Sequence, residues 1–296
     1  MSLWSNYVLA NSLKEAIDAL RERPGQTCPV AGGTDLLLDL QQGHHALVDT
    51  LVDISRIPEL GVLEKRGEDL FIGAAVSVRE ITHSPLVLEH AVALSEACGL
   101  IGGPQVRNTA TLGGNVAHAL PAADGMIGLV AMGATVDIAN EEGIRREPIL
   151  KLFVGPGRST LRADRDVLVG FHVPLRKPGQ ASAFSRVMRP QGVALPILNA
   201  AVWLERDGDT VKDVRVAVGP SGPVPVRATE IEQLLTGQRI GPELFRRVRE
   251  AVPKSFQFRS SAQRCGATYR FQLCEVLLEE VLNKAWQRAE GITVAI

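Results

Sequence analysis

The chain has 296 residues, enough for about two domains of ordinary size and a substantial buried core. Hydrophobic residues make up 45% and charged residues 22%, and 32 Lys+Arg against 33 Asp+Glu leave a net charge of −1. This composition excludes a disordered or collagen-like chain. Because the chain has neither a basic excess nor a Lys/Arg-rich run, we expect no nucleic-acid partner.

The four cysteines are scattered along the chain, with no CxxC pair and no histidine at metal-ligand spacing: Cys28, Cys98, Cys265 and Cys274. We therefore expect reduced thiols and no metal site. The first residues do not combine a basic segment with an apolar one, and no stretch approaches 18 unbroken apolar residues. We expect a cytoplasmic protein without membrane insertion.

The N-terminal half alternates predicted helices and strands. Ser12 and Glu15 form a capping box that predicts an amphipathic helix over 12–23. An apolar run at 28–31, a glycine turn at 32–35 and a helical pattern from Leu36 then predict a strand, a turn and a helix. Strands are predicted at 51–54 and 70–74, and Ser77 with Glu80 predicts a further helix to His83.

A glycine-rich passage at 98–125 has too many small residues for a packed helix, so we predict a long functional loop there. Further strands are predicted at 129–138 and 166–173. The polar segment 176–180 contains proline and glycine and is typical of a domain boundary.

The predicted secondary structure changes after this boundary. Two strand-like runs at 200–205 and 211–218 are joined by Arg206-Asp207-Gly208-Asp209, a sequence that favours a hairpin. From Ala228 the pattern is mostly helical, and it closes with an amphipathic segment over 268–289.

Known catalytic signatures are absent from the sequence: it has no GxGxxG, Walker A, GxSxG or HExxH motif. Two glycine clusters remain, 31–35 (AGGTD) and 111–115 (TLGGN). Paired glycines let backbone N–H groups approach an anion, so two such loops would clamp a diphosphate from both sides. Each cluster taken alone is also consistent with an ordinary turn.

With their flanking residues, the two clusters resemble the separate FAD-binding subunit of the molybdenum hydroxylases, the xanthine dehydrogenase and carbon monoxide dehydrogenase family. The similar segments run in order from one end of the chain to the other: NYVLANSLKEAI (6–17), VAGGTDLL (30–37), IGAAVSVREI (72–81), TATLGGN (109–115), LPAADG (120–125), LFVGPGRSTL (152–161), SAFSRVMR (182–189), GPVPVRA (222–228) and RSSAQRCGATYR (259–270).

The resemblance implies an α+β protein. A two-lobed FAD-binding domain of the vanillyl-alcohol-oxidase (PCMH-like) type would occupy residues 1–176, with subdomains at about 1–57 and 58–176. A C-terminal α+β domain of the molybdenum-hydroxylase flavoprotein type would occupy residues 177–296.

The same resemblance assigns cofactor-binding residues. One side of the FAD diphosphate would be wrapped by the first loop and its flanks: Val30, Ala31, Gly32, Gly33, Thr34, Asp35 and Leu36. The other side would be held by Thr111, Gly113, Gly114 and Asn115. Residues nearer the flavin or its ribityl chain would be Ile101, Gly102, Asp124, Leu168 and Arg186, with Arg186 in the place of the family's basic residue beside the isoalloxazine.

Structural alternatives stay open for several of these residues. Ile101 and Leu168 are also consistent with ordinary core positions. Arg186 is also consistent with a solvated surface charge, and Asp124, which precedes Gly125, with an Asx turn. His118 follows the second loop, where it would touch a phosphate or serve as a structural histidine. His44 and His45 have no third ligand nearby, and we expect no metal there.

The chain also departs from the family. It has Ala194-Leu195-Pro196 where many relatives carry an acidic residue followed by an aromatic or aliphatic one, which leaves flavin shielding and the electron acceptor open. It lacks the cysteine-bearing insertion of the 4-hydroxybenzoyl-CoA reductase branch, so we expect no iron–sulfur cluster in this subunit.

The resemblance implies an electron-transfer subunit that carries FAD. It would take electrons from two 2Fe–2S clusters on a small partner subunit and pass them to NAD⁺, O₂ or another acceptor. A large partner subunit would hold the molybdenum cofactor and the substrate, in a heterohexamer with two copies of each chain. The cofactor carries the chemistry, so no catalytic acid or base is expected here.

Two alternatives remain at this point: a stand-alone FAD oxidoreductase of the same fold, and a non-catalytic assembly subunit. The first would need its own substrate-contacting or covalent-flavin residues, and no His or Cys candidate lies beside either loop. Four intact glycines argue against the second. The substrate of the complex, whether a purine, an N-heteroaromatic, an aldehyde or carbon monoxide, is not encoded in this chain.

Overall fold

The computed structural model describes residues 3–22, 24–189, 195–261 and 264–292. The chain begins with a small parallel sheet in the order β1-β3-β2. Its strands and connecting helices are β1 (Asn6–Leu9), α1 (Leu13–Glu22), β2 (Thr27–Val30), α2 (Leu36–Gln42) and β3 (Thr50–Asp53). The predicted cap of the first helix is confirmed, since Ser12 Oγ accepts a hydrogen bond from the Glu15 N–H at 3.2 Å.

A five-stranded antiparallel sheet follows, in the order β4-β5-β10-β6-β7. Its strands are β4 (Leu63–Arg66), β5 (Asp69–Gly73), β6 (Thr135–Asn140), β7 (Gly143–Pro148) and, after a two-stranded ribbon of β8 (Phe153–Gly155) and β9 (Arg158–Ser159), β10 (Val167–Pro174). The sheet therefore joins strands from both sides of a long helical insertion.

Short helices form that insertion between β5 and β6: α3 (Val78–His83), α4 (Pro85–His90), α5 (Val92–Gly99), α6 (Pro104–Thr109), α7 (Leu112–Ala117) and α8 (Asp124–Met132). The predicted long loop at 98–125 is thus wrong. Small residues there permit close packing of short helices, as at Gly113, where a Cβ would lie 2.6 Å from the carbonyl oxygen of Ala74.

The strand predicted at 129–138 is also wrong in its first half. Residues to Met132 belong to α8, which ends at Gly133 with φ +69°, and β6 starts only at Thr135. Every residue of α8 is buried, so the helix has no polar face to reveal its 3.6-residue period.

The C-terminal part is a four-stranded antiparallel sheet covered by helices. Its elements are β11 (Gln180–Met188), β12 (Pro196–Asp207), β13 (Thr210–Gly219), β14 (Val226–Arg227), α9 (Thr229–Leu235), α10 (Pro242–Ser255) and α11 (Ala267–Ala289). The predicted hairpin is confirmed, and Gly208 at its turn has φ +54°.

Both faces of this sheet are buried. Alternate residues of β12 belong to different cores: Ala201 and Trp203 pack with the N-terminal part, while Ala200 and Val202 pack with the C-terminal helices. A buried ion pair from α11 also crosses the contact, with Arg288 Nη2 lying 2.6 Å from Glu96 Oε1. The two parts therefore share one continuous apolar contact.

Candidate functional site

The first glycine loop, residues 31–35, leaves the end of β2 and leads into α2. Gly32 lies directly against the chain before the second loop, because a Cβ on Gly32 would come within 2.1 Å of the Thr109 carbonyl oxygen. Gly33 has φ +66°, a backbone conformation that side-chain-bearing residues rarely adopt. Glycine is therefore required at both positions: at Gly32 because the backbone of residue 109 lies too close for a side chain, and at Gly33 because of its positive φ.

The backbone donors of this loop are available to a ligand. Within the described part of the chain, the N–H groups of residues 32–35 donate no hydrogen bond to another protein group. The loop is half-buried up to Thr34, and Asp35 is exposed. Consecutive backbone N–H groups without protein acceptors, on a partly accessible loop, are donors of the kind that can bind an anion.

The two flanks of the loop serve packing. Val30 is buried in a small core with Cys28 and Leu51, and Leu36 packs against that core. The Val30 and Leu36 side chains thus anchor the loop at its two ends, between a strand and a helix.

The second glycine loop, residues 111–115, is built differently. Thr111 caps α7, and its Oγ1 accepts a hydrogen bond from the Gly114 N–H at 3.0 Å. The N–H groups of Leu112 and Gly113 donate to the carbonyl oxygens of Val76 (3.2 Å) and Ala74 (2.9 Å). Backbone donors are therefore already used here, in contrast to the first loop.

Side chains supply the remaining polar groups of the second loop. Asn115 Oδ1 accepts from the Met126 N–H at 3.2 Å, which directs the side chain and leaves its amide NH₂ without a protein acceptor among the described residues. Gly113 is buried, whereas Gly114 is exposed and its added Cβ would meet only Thr111 Oγ1, at 3.1 Å. Without a side chain, Gly114 leaves the exposed surface of the loop open to a ligand. Gly113 allows the loop to pack closely against Ala74.

A histidine that follows the second loop ties it to the first. His118 Nε2 lies 3.1 Å from Asp39 Oδ2 on α2, and His118 Nδ1 lies 3.7 Å from Asp35 Oδ2. Together with the Gly32–Thr109 contact, this bridge places the two loops side by side. The structure supports the structural role for His118.

The turn at Ile101 and Gly102 is held by a residue that the sequence analysis did not single out. Arg107 Nη1 donates to the carbonyl oxygens of Ile101 (3.2 Å) and Gly102 (2.7 Å). Gly102 has φ +54°, and Ile101 is half-buried against the main core. In the sequence, nothing distinguishes Arg107 from an ordinary arginine on the protein surface.

Asp124 and Arg186, which are 62 positions apart, form a buried ion pair between Asp124 Oδ2 and Arg186 Nη1. Their side chains are only 5% and 6% exposed, so Arg186 is not a surface charge. Asn199 Nδ2 donates to Asp124 Oδ1 at 2.7 Å and to the Ala122 carbonyl oxygen at 3.2 Å. Burial raises the pKa of Asp124, and the Arg186 and Asn199 contacts oppose that rise. Asn199 was not predicted.

The predicted site residue Leu168 and the Ala194-Leu195 segment, where the sequence departs from the family, stand apart from this network. Leu168 is buried in β10 next to a β-bulge and packs in the main core. Ala194 lies outside the described residues, and Leu195 is exposed.

Across the described ranges, no group of three or more His, Cys, Asp or Glu side chains could hold a metal ion. The four cysteines are unpaired, and burial raises the pKa of Cys28 to about 11. Nor does any helix in the described residues have the length and apolar character needed to cross a bilayer.

Comparisons with known proteins agree with this geometry. Residues 3–176 match the family model "FAD binding domain in molybdopterin dehydrogenase", and residues 182–285 match "CO dehydrogenase flavoprotein C-terminal domain". The chain is 29% identical over 290 residues to a xanthine dehydrogenase FAD-binding subunit from Escherichia coli, covering 97% of this chain and 98% of that protein.

Two further comparisons involve carbon monoxide dehydrogenase from Hydrogenophaga pseudoflava. The sequence is 29% identical to its medium chain over 284 residues, covering 95% of this chain and 97% of that one. A solved structure of the enzyme superposes with a TM-score of 0.90 at 28% identity, covering 96% of this chain and 98% of the matched chain.

Proposed function

Because the chain belongs to the FAD-binding subunits of the molybdenum hydroxylases, we propose that it receives electrons from two 2Fe–2S clusters of a partner subunit and passes them to NAD⁺, O₂ or another acceptor. The chain is a flavoprotein subunit of a molybdenum-dependent oxidoreductase, with the two-lobed FAD-binding fold and a C-terminal α+β domain. The resemblance inferred from its motifs is thereby confirmed.

One observation carries the placement of the cofactor. The first glycine loop presents four backbone N–H groups without protein acceptors, next to a second loop that offers a hydroxyl and an amide side chain. A diphosphate needs such a set of neutral donors at short range, so the residues present fit FAD. We propose that Ala31 to Asp35 bind one side of the diphosphate, and that Thr111, Gly114 and Asn115 bind the other.

The remaining predicted residues would position the flavin without taking part in proton transfer. Ile101 and Gly102, fixed by Arg107, would form a wall of the cofactor site. The Asp124–Arg186 pair would present a neutral, rigid polar group there, because each charge compensates the other. FAD itself supplies the redox chemistry when bound, exchanging electrons singly with an iron–sulfur cluster and in pairs with a two-electron acceptor.

We also propose that the chain has two domains. Residues 1–176 would form the FAD-binding domain, with subdomains at about 1–57 and 58–176, and residues 177–296 the C-terminal domain. The polar segment at 176–180, where β10 has ended and β11 begins, supports the boundary.

The related proteins are subunits of larger enzymes, which supports a heteromeric assembly for this chain. We propose a large subunit with the molybdenum cofactor, a small subunit with the iron–sulfur clusters, and two copies of each chain in a cytoplasmic heterohexamer.

A visible absorption spectrum of the protein, purified with its co-expressed partner subunits, tests this proposal. We expect flavin and iron–sulfur bands in one complex and reduction of the flavin when the substrate of the large subunit is added. Flavin in a chain that never associates with partners would instead indicate a stand-alone flavoprotein. A complex without flavin would indicate an assembly subunit, and either result would overturn the proposal.

A further inference from the structure

Asn199 is a polar residue at a fully buried position of β12. Residues 197–204 of this strand are all buried and otherwise hydrophobic, and Asn199 is 0% exposed. A buried side-chain amide costs stability unless its polar atoms find hydrogen-bond partners. The amide therefore needs contacts that a hydrophobic residue of the same shape could not supply.

Those contacts use the amide only as a donor. Asn199 Nδ2 donates to Asp124 Oδ1 at 2.7 Å and to the Ala122 carbonyl oxygen at 3.2 Å, whereas Asn199 Oδ1 has no hydrogen-bond partner among the described residues. The reverse orientation of the amide would place its oxygen against two acceptor oxygens. Asn199 thus directs both of its N–H donors at the start of α8, where Asp124 is the first residue.

The two neighbouring strands confine this amide. Arg186 on β11 and Gly219 on β13 lie opposite Asn199, one on each side. A Cβ on Gly219 would come within 2.7 Å of Asn199 Oδ1 and 2.6 Å of the Pro121 carbonyl oxygen, so the sheet has no room for a side chain there. The C-terminal sheet thereby presents Arg186 and Asn199 side by side to one carboxyl group of the N-terminal part.

The Asp124 carboxyl depends on both neighbours. Its side chain is 5% exposed, with Oδ2 paired to Arg186 and Oδ1 bonded to Asn199. Burial favours the neutral acid and raises its pKa, while Arg186 and Asn199 favour the carboxylate. The other titratable group that faces it in the described part of the chain is the Cys98 thiol on α5. Burial and the Asp124 charge raise the pKa of that thiol, so it adds no compensating charge. Without Asn199, one buried carboxylate oxygen would have no donor.

We propose that Asn199 is a positioning residue that holds the Asp124 carboxylate against Arg186 and keeps the pair ionised. With the pair intact, the positive and negative charges compensate each other. If the Asn199 donor is removed, Asp124 binds a proton from solvent and Arg186 remains as an uncompensated cation. The importance of this step for electron transfer rests on the proposed function, which places the pair beside the flavin.

Denaturant unfolding of the full-length chain, from about pH 5 to 9, tests the role of Asn199. In Asn199→Leu we expect Asp124 to stay protonated in the folded chain, whereas the unfolded chain, with a pKa of about 4, has released the proton. The folding equilibrium constant relative to wild type should therefore fall by up to about tenfold per pH unit as pH rises, until Asp124 ionises. Val202→Ala, at a position that packs with the C-terminal helices, is the control and should differ from wild type by a constant factor.

A second variant keeps the shape of the side chain. Asn199→Asp replaces the amide by a carboxyl group that can donate only when protonated, so one proton must be bound between the two carboxyl groups. We expect the same dependence on pH, and this variant replaces Asn199→Leu if the latter does not fold. A difference from wild type that stays constant with pH in these variants, as in Val202→Ala, would show a purely packing role and overturn the proposal.

The midpoint potential of bound flavin in the same variants reports separately on the proposed function. An uncompensated Arg186 favours the added electrons of reduced flavin, so we expect a shift to a more positive potential in Asn199→Leu and no shift in Val202→Ala. A pH-dependent stability difference together with an unchanged potential would support the role of Asn199 and overturn the placement of the Asp124–Arg186 pair beside the flavin.

Discussion

The two glycine loops contain similar residues, but their backbone N–H groups differ in whether they have acceptors within the protein. In the first loop, the N–H groups of residues 32–35 have no protein acceptor within the described part of the chain. In the second, those of Leu112, Gly113 and Gly114 donate to Val76, Ala74 and Thr111. We propose that the first loop donates to a ligand from its backbone, whereas the second loop packs closely and presents side chains.

A glycine pair therefore does not by itself identify a backbone anion site. Gly113 is needed because a Cβ there would lie only 2.6 Å from the Ala74 carbonyl oxygen, and Gly33 is needed because its φ is +66°. Substitutions at the two loops should therefore fail in different ways.

The largest effect is expected for Gly32→Val. A Cβ at this position would lie 2.1 Å from the Thr109 carbonyl oxygen, so the first loop would have to move away from the second. We expect the flavin content of the purified chain to fall at least tenfold, because the N–H groups would lose their common orientation. Gly61→Ala, with open space around its Cβ, is the control. Full flavin content in Gly32→Val would refute the assignment of this loop.

The paired substitutions Gly113→Ala and Gly114→Ala separate packing from binding within the second loop. Gly113→Ala overpacks against Ala74 and should cost about 2–3 kcal/mol of unfolding free energy, with or without FAD. Gly114→Ala should leave stability within about 1 kcal/mol while weakening FAD binding, because its Cβ would lie on the exposed surface of the loop and meet only Thr111 Oγ1, at 3.1 Å. Denaturant unfolding and flavin titration measure the two effects, and the same outcome for both variants would contradict the division of roles.

A carboxylate in the five-stranded sheet provides a test that leaves both loops untouched. Burial alone would raise the pKa of Asp137, but hydrogen bonds from Arg146 (2.6 Å) and His172 (2.9 Å) hold it below its usual range. Its contribution to stability is therefore present above the unfolded pKa of about 4 and is lost as pH falls through the lower folded pKa.

We expect Asp137→Asn to cost about 2 kcal/mol at pH 7 and progressively less below about pH 4. Unfolding free energies of both proteins from pH 3 to 7 check this, together with FAD affinity at pH 7, which should not change. A pH-independent difference would show that the charge of Asp137 is not what stabilises the sheet.

The smallest effect is expected for Thr111→Ala. It removes the hydroxyl that caps α7 and that we propose contacts the diphosphate, so we expect a loss of about 1 kcal/mol in stability and a several-fold loss in FAD affinity. Thr111→Ser keeps the hydroxyl and should retain both. If Ser and Ala behaved alike, the hydroxyl would have no part in either property.

Local signals in the sequence were sufficient for much of the fold. The Ser12 and Ser77 caps and the Asp207-Gly208 hairpin depend on neighbouring residues only, and each is present in the structure. The apolar run through Met132 carried no periodicity because α8 is buried on all sides, and its helix was therefore missed.

The assignment of the site residues stays a prediction, whereas several connections between them are visible only in the fold. The acceptors of the Leu112 and Gly113 N–H groups lie more than 30 residues earlier in the chain, so the sequence could not show that these donors are used. Asp124 and Arg186 were named separately, but only the fold reveals that they form one ion pair with Asn199 beside it. Arg107, which holds the Ile101 turn, gave no distinguishing signal.

Hydrogen exchange of the chain with and without FAD tests the comparison of the two loops most directly. We expect amides in peptides covering residues 31–36 to exchange at least tenfold more slowly when FAD is bound, because their free N–H groups gain phosphate acceptors. Peptides covering residues 112–115 should change less than twofold, since their amides are already bonded to protein. Equal protection of both loops, or no protection of residues 31–36, would show that the backbone N–H groups of the first loop do not bind the diphosphate.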